Sequence, residues 1–528
     1  MDGRAMRYFL IFAANLIAGG VLLNAQNVND VFTFSQSPLS GSARFVAMGG
    51  AFQALGGDPS GVISNPAGSA IYLNGEFQGT LFYDNKNTKS IYGNTATTMT
   101  GDESDVFSLG QASFIFPLES MTYSQNNRSN KFTIGIFYSG RNYYKNDFVV
   151  NGENTIGIDS YFVNHANGSR IKLDELILRK DEDLSGRYGD LGEDVGYSAQ
   201  QSLLGFQSYL IESIEDTPNS TEYVSALSEY QQVPLEQEFI YNQSGINHQM
   251  TLNFAFELQN RYYFGANINI DWFRYKEISD YLETGHDVNS PYSEINFVNN
   301  FSTLGIGYSF QIGALAKLSD FLRVGLTYET PKWIDFEDET SQFVQNEIVV
   351  NDELLDPIDP NILNIYPPHT LRIAAKYSLG AAFVFGQRGL ISVDYSLQPL
   401  QNSKFSDPEF PNSDAFSVTN QLINTYFQTH SILRVGGEIQ LSRFSLRGGY
   451  FSESSPFANF SNEPNQGFTA GLGYKFGPHQ INAAMIVDSR TTNHQFYTNY
   501  YDSQGNPFSY QLEKKPFGLF LSYHFKFL

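Results

Sequence analysis

The stretch 517–528, FGLFLSYHFKFL, decides the fold. Phe517, Leu519, Leu521, Tyr523, Phe525 and Phe527 fall on one face of a strand, and Gly518, Ser522, His524 and Lys526 fall on the other. A strand with aromatics on one side and small or charged groups on the other suits a sheet with lipid outside and water or protein inside. In a soluble sheet the same aromatics need a packed partner layer. The pattern recurs along the chain. Met250, Leu252, Phe254 and Phe256 alternate with Thr251, Asn253 and Ala255. Leu304, Ile306, Tyr308, Phe310 and Ile312 alternate with Gly305, Gly307, Ser309, Gln311 and Gly313.

About fourteen such strands are expected, near 76–84, 106–117, 131–142, 248–258, 261–273, 304–317, 321–330, 369–385, 390–398, 430–441, 443–451, 466–476, 479–488 and 516–528. From the third strand on, the connections alternate in length. Short ones are Gln259-Asn260, Ser319-Asp320, Gly386 to Gly389, Ser442 and Gly477-Pro478. Long ones are 143–247, 274–303, 331–368, 399–429, 452–465 and 489–515. A sandwich has no reason to gather every long connection at one end. A transmembrane antiparallel β-barrel of the outer membrane does, with short periplasmic turns and long extracellular loops, so the fold class is all-β. An even strand count brings both ends of the barrel to the periplasmic side.

Composition agrees. The 528 residues include 33 Tyr and 45 Phe, enough for two aromatic girdles. No cysteine is present, which excludes disulfides, thiol catalysis and a lipid-modified N-terminal cysteine. A formal charge of −23 speaks against nucleic acid as a partner. Acidic runs such as Asp181, Glu182, Asp183 and Glu193, Asp194 fall in expected loops. They read as solvated surface, or else as divalent-cation sites. The eight histidines are scattered without metal-ligand spacing, so no metal or cofactor is expected. Neither a Gly-x-Ser-x-Gly element nor a pair of catalytic carboxylates stands out, and no enzymatic activity is expected.

The N-terminus reads as a secretory signal peptide over 1–25: Arg4 and Arg7, an apolar run from Tyr8 to Leu23, and cleavage after Ala25. A membrane anchor is the other reading, for which the run is short. Residues 26–75 break the strand pattern and are rich in Gly, Ala, Ser and Asn. A barrel of this size is too wide for its own side chains to fill. The segment is expected to be a plug, a hatch inside the barrel that occupies 76–528. The 143–247 connection is too long to be structureless. A helix is expected near Ala199 to Glu215. Its apolar residues Leu203, Leu204, Phe206, Leu210 and Ile211 suggest a groove that captures a hydrophobic ligand, or simply packing over the barrel mouth.

Ser42-Ala43-Arg44-Phe45-Val46-Ala47-Met48-Gly49-Gly50-Ala51-Phe52, then Asp58 and Asn65-Pro66-Ala67-Gly68, resembles the N-terminal hatch of the FadL/TodX family of outer-membrane transporters. Gly389 to Tyr395, after Pro367-Pro368, looks like members from the Bacteroidota. The resemblance implies a fourteen-stranded barrel plugged by its N-terminal segment. It further implies passive transport of long-chain fatty acids or other hydrophobic compounds, with no cofactor, in the outer membrane of a Gram-negative bacterium. It marks Arg44, Gly49, Gly50, Asp58, Asn65, Pro66 and Ala67 as the hatch and gate. Acidic loops would repel fatty-acid anions, so the ligand class stays open.

A fatty acid needs an apolar tunnel and a cation for its carboxylate. If the outward faces are assigned correctly, Arg323, Arg372, Lys376, Arg434, Arg447 and Lys475 point into the lumen. The plainer reading pairs them with lumenal acids such as Glu329 and Glu438, or with hatch carbonyls. Lumenal glycines such as Gly305, Gly307, Gly471 and Gly473 are expected to make room for the plug. Besides lipids and a hydrophobic ligand, the expected partner is the barrel assembly machinery, through the terminal strand Phe517 to Leu528. The competing functional reading is a FadL-like barrel serving as a protein-binding adaptor or shuttle in type IX secretion.

Overall fold

The computed structural model describes residues 28–527 except 94, 100–104, 120–130, 229–233, 288–289, 351–352, 355, 412, 459–463, 498–499 and 502–507. The stretch read as a signal peptide lies outside the described residues, as does Leu528.

Fourteen antiparallel strands close into one barrel. They are β1 (Gly75–Tyr92), β2 (Val106–Glu119), β3 (Lys131–Tyr143), β4 (Leu235–Leu258), β5 (Tyr262–Thr284), β6 (Tyr292–Lys317), and β7 in two segments (Leu322–Glu329 and Lys332–Val350). Next come β8, also in two (His369–Ile373 and Lys376–Val384), β9 (Gly389–Pro399), β10 (Thr429–Leu441), β11 (Phe444–Glu453), β12 (Asn465–Phe476), β13 (His479–Gln495) and β14 (Ser509–Phe527). Each pairs with its sequence neighbour, and β14 returns to β1 from Gly75↔Phe527 to Ile91↔Gln511. Closure leaves no open edge, which is what a sheet needs where no water can satisfy its backbone.

The outward face carries the lipid-type belt. Leu304, Ile306, Tyr308, Phe310 and Ile312 are all exposed, as are Leu519, Leu521 and Tyr523, while Ser309, Ser522 and His524 are buried on the other face. Phe520, inside, stacks on Phe82. The belt ends abruptly: after the exposed Trp272 of β5 come exposed Arg274 and Lys276. No described helix is long and apolar enough to cross a membrane.

Short turns cluster at one end. Gln259 and Asn260 both have positive φ (57° and 54°), the left-handed pair that a two-residue hairpin requires. At the other end the strands run well past their expected limits. β4 begins at Leu235 and not at 248, β5 continues to Thr284 and not to 273, and β6 begins at Tyr292 and not at 304. The expected 274–303 loop is thereby mostly strand.

On these protruding strands sits a lid formed by the long connection. It contains α-helices at Asp159–Ser169, Leu173–Leu176, Leu184–Asp194 and Tyr197–Gln207. The last replaces the helix expected over 199–215. It ends because Tyr209 turns to φ 60° and Leu210 N–H bonds back to Gly205 O, after which Ile211–Ser213 pairs as a strand with Tyr223–Ser225. Leu203, Leu204, Leu210 and Ile211 are buried in the lid's core with Phe162 and Leu173, and Phe206 packs against that core. No open groove exists at these five residues. They hold the lid together.

Candidate functional site: the hatch and the lumenal cavity

Residues 28–74 lie inside the barrel. We number their helices α1 (Asn29–Ser35), α2 (Ala43–Ala47) and α3 (Pro59–Ser64), with a 3-10 helix at Pro66–Ile71. Three polar side chains fix this chain trace. Ser42 accepts from Phe45 N–H at the start of α2 and donates to both oxygens of Asp58 (2.9 and 2.8 Å). Asp58 in turn caps α3 by accepting from Ser60 N–H (2.9 Å). Asn65 caps the 3-10 helix through Ala67 N–H (3.1 Å), and its amide donates to Gln53 O and to Ala314 O of β6. Pro66 starts that helix, where its missing N–H costs nothing. Pro66 O accepts from Asn253 of β4 (3.0 Å).

The wall meets the hatch over bare backbone. A Cβ on Gly325 would stand 1.8 Å from Gln53 O, and one on Gly436 2.2 Å from Met48 O. Gly471 likewise faces Ala47, as expected. Gly305, Gly307 and Gly473 do not face the hatch. They leave space for Phe336, Ile334 and Arg447, side chains of the wall itself. Gly49 and Gly50 follow α2 at φ 60° and 74° and press against β10 and β11.

Arg44 is the main charged anchor. Its Nε and Nη2 donate to the two oxygens of Glu438 on β10 (2.9 and 3.2 Å), and Nη1 donates to Gly57 O. Arg447 on β11 binds the same carboxylate (2.6 Å) and Asn482 (2.9 Å). Arg323 donates to Leu55 O of the hatch (3.3 Å). Thus Arg323 and Arg447 are used structurally. Lys475 is exposed beside the turn at Gly477, away from the lumen interior. Arg372 is outward, contrary to expectation. The two segments of β8 are joined through Ala374 and Ala375, opposite Thr330 and Pro331 in β7, and the inward phase slips by one residue there. His369, Leu371 and Ile373 point inward above the slip, and Ser378, Gly380 and Ala382 below it. Lys376 and Arg434 do line the interior.

Above the hatch lies a cavity of about 710 Å³, within the range of small-molecule sites. Its floor is α1 with residues 36–40, and its roof includes Tyr161, His165 and Tyr197 of the lid. The walls are aromatic, with Phe239, Tyr275, Phe301, Phe451, Tyr497 and Tyr510 among them. A helix α8 (Ser417–Tyr426) between β9 and β10 adds Val418 and Leu422, one turn apart, both on the cavity.

One wall is basic. Lys86 of β1, Arg490 of β13 and Lys514 of β14 all face the cavity. Arg490 and Lys514 are direct cross-strand partners, a like-charge placement that disfavours the pair by itself. Lys86 donates to Tyr143 O and Lys145 O (3.0 and 2.9 Å) and stands 3.8 Å from Asp84. Arg490 has Glu453 at 3.9 Å and donates to Gln36 of the hatch (3.2 Å). Asp488 faces the same cavity. Lys514, among the described residues, makes no hydrogen bond and no ion pair within 4.0 Å. Lys514 thus presents an amine with no acceptor to an aromatic chamber, beside Arg490, and Asp84, Glu453 and Asp488 line the same chamber.

The barrel, hatch and lid can be set against known structures. A FadL homologue from Pseudomonas aeruginosa superposes with a TM-score of 0.51 at 12% identity, covering 93% of this chain and 99% of that one. The toluene transporters TbuX of Ralstonia pickettii and TodX of Pseudomonas putida follow at TM-scores of 0.49, each 13% identical, covering 93% and 92% of this chain and 99% and 98% of theirs. The first of these likenesses shows a shared fold. No protein-family model and no curated protein sequence matches the chain.

Sequence reasoning missed Lys86, Arg141, Arg490, Lys514 and α8. Lys86, Arg490 and Lys514 sit on strand above the belt, where both faces are polar and the alternation fades. Arg141 lies at a bulge between Gly140 and Asn142 in β3 and keeps the inward phase of Thr133, Gly135, Phe137 and Ser139; the bulge brings Asn142 inward beside it. Arg141 faces the interior and donates to Ser37 of the hatch. In the acidic runs, Asp183 caps the helix at Leu184–Asp194 through Gly186 N–H, and Glu182 accepts from Arg179 N–H. No three His, Asp or Glu side chains among the described residues are grouped to hold a metal.

Proposed function

We propose that this protein is an outer-membrane channel for hydrophobic small molecules carrying one acidic head, long-chain fatty acids being the model substrate. The observation that carries the reading is the aromatic cavity of about 710 Å³ with Lys514, which has no acceptor among the described residues, on its wall. An alkyl or aryl body replaces water against the rings, at roughly 25 cal/mol per Å² of apolar area. A carboxylate takes its charge-assisted bond from Lys514 and is shared with Arg490. Val418 and Leu422 of α8 form the apolar approach. Passage is passive: the hatch shifts as a unit, its capped turns keeping their shape, and the ligand moves on. A protein-binding adaptor would have no need of such a cavity.

The test is native mass spectrometry on the detergent-purified barrel, followed by calorimetric titration with a long-chain carboxylate and with a neutral aromatic. The carboxylate is expected to bind, and Lys514→Met to weaken it by roughly 10- to 100-fold, the worth of one hydrogen bond to a charged group. The neutral ligand should lose little. If Lys514→Met binds the carboxylate as well as the parent does, the head-group assignment fails. If neither ligand binds, the channel reading fails.

A further inference from the structure

Below the cavity, between the hatch and strands β2, β3 and β6 to β10, lies a second chamber of about 60 Å³. It has room for on the order of four waters, and none for an alkyl chain. Three cations face it: Arg141, Lys376 and Arg434. Two acids face it: Glu329 and Asp394. We propose that this chamber binds one small monovalent anion, a halide or the carboxylate of a small acid, which bridges the hatch to the wall.

The geometry of the pairs carries the proposal. Lys376 stands directly opposite Glu329 in the β7–β8 ladder, and Arg434 directly opposite Asp394 in the β9–β10 ladder. Opposite charges so placed in a low-dielectric interior should close on one another. Neither pair does so within 4.0 Å. Glu329 is held by Ser309 and Gln311 (3.3 and 3.1 Å), and Asp394 by Gln53 N–H of the hatch (2.8 Å). Glu329 and Oδ2 of Asp394 are therefore turned to other donors, while Asp394 Oδ1, set against Gly380, has none among the described residues, and the cations are left to the chamber. Among the described residues Lys376 makes no hydrogen bond or ion pair, and the buried Nε of Arg434 has no acceptor. Glu453 of β11 acts on Arg434 and Lys376 from the side of the upper cavity, but the Lys376 amine and Arg434 Nε keep no acceptor, and an anion in the chamber would supply one to both. A buried cation left bare is costly, so an anion binding there stabilises the arrangement. The same anion ties hatch to wall. Arg141 is bonded to Ser37, and a Cβ on Gly50 would lie 3.0 Å from Arg434 Nη1, so the cations border hatch backbone on two sides. This site stands independently of what fills the upper cavity.

The experiment uses the full-length protein in a neutral detergent. Crystals soaked in bromide should show one anomalous peak within the chamber. Calorimetric unfolding at constant ionic strength should give a temperature several degrees higher in chloride than in gluconate, which is too large to enter, and saturate with chloride. Lys376→Met should remove that difference. Acetate competing with bromide would identify small carboxylates as a source of the anion. Competition by halide alone would identify a free halide. Either supports the site. A chamber without bromide, together with equal unfolding temperatures in chloride and gluconate, would overturn it, and the bromide measurement on the parent protein decides the matter even if the variant fails to fold.

Discussion

Replacing Arg44 by Met separates the hatch from the wall while sparing the barrel. Arg44 makes two bonds to Glu438 and one to Gly57 O. Losing one partner of a fully buried pair costs about 3–5 kcal/mol. Here Glu438 keeps Arg447, and the two side chains retain 19% and 11% exposure. The cost therefore falls just below that range, about 2–3 kcal/mol. That converts to roughly 30- to 150-fold in the equilibrium between seated and loosened hatch, at about 1.4 kcal/mol per decade. Native-state hydrogen exchange reads it directly. Val46 N–H, bonded to Ser42 O, and Asn65 N–H, bonded to Gly61 O, report the hatch. Amides in the β9–β10 ladder report the wall. Hatch protection should fall by that factor, with the wall unchanged and with a rise in small-solute leak through liposomes. Arg44→Lys should lie between, since a point charge cannot fork onto both oxygens. Equal loss of protection in hatch and wall, or no loss in either, would refute an Arg44–Glu438 anchor that acts on the hatch alone.

Gly325→Val places methyls where Gln53 O stands 1.8 Å from the Cβ position; the barrel should still form, but with the hatch displaced, seen as protease cleavage within 40–60 and increased leak. Leu422→Asp, on α8, should slow ligand uptake while leaving affinity for a pre-equilibrated ligand within a few-fold, measured by stopped-flow binding. Protonation of His165 should weaken the lid in acid. Burial pushes His165 down to about 3, and Ser198 holds its Nδ1. The unfolded histidine titrates near 6.5, so from there down to about 3 the open lid binds the extra proton and stability falls with falling pH, by on the order of 1.4 kcal/mol per unit. Glu283, which accepts from Ile158 N–H of the lid and is raised to about 8 by burial, pulls the other way over the same range, so the check is limited proteolysis of parent against His165→Gln: the variant's lid should gain protection relative to the parent on going from pH 7 to pH 5.

The strands were legible because lipid imposes one demand on every second residue. Leu304 to Ile312 could alternate no other way and still face hydrocarbon. Where that demand lapses, so did the reading. Above Trp272 the strands continue between water and lid, polar on both faces, and were taken for loops. Of the lumenal assignments, Arg372 failed for a local reason: one residue's slip at Ala374 and Ala375 turned it outward, and such a slip leaves no mark in composition. Arg141 keeps the inward phase of Phe137 and Ser139. Ser42, Asp58 and Asn65 entered through the family resemblance alone; that they cap the hatch's helix starts is what the structure adds. The basic wall was invisible because Lys86 of the first strand joins the cross-strand pair Arg490 and Lys514 only through closure of the barrel onto its last strand.

That closure has a consequence for assembly. The hatch touches β5, β6, β7, β8, β10, β11 and β12 at glycines, and Ala43 N–H is bonded to Ser522 of β14. The segment is also continuous with β1 at Gly75, directly opposite Phe527. A finished cylinder offers such a segment no way to seat against so many staves at once. The wall must therefore curl around its own beginning, and the hatch serves as the mandrel that sets the radius. A chain lacking residues 28–74 would have to find fourteen strands and their curvature with bare glycine rows facing water, and should close slowly and into a mixture of strand registers.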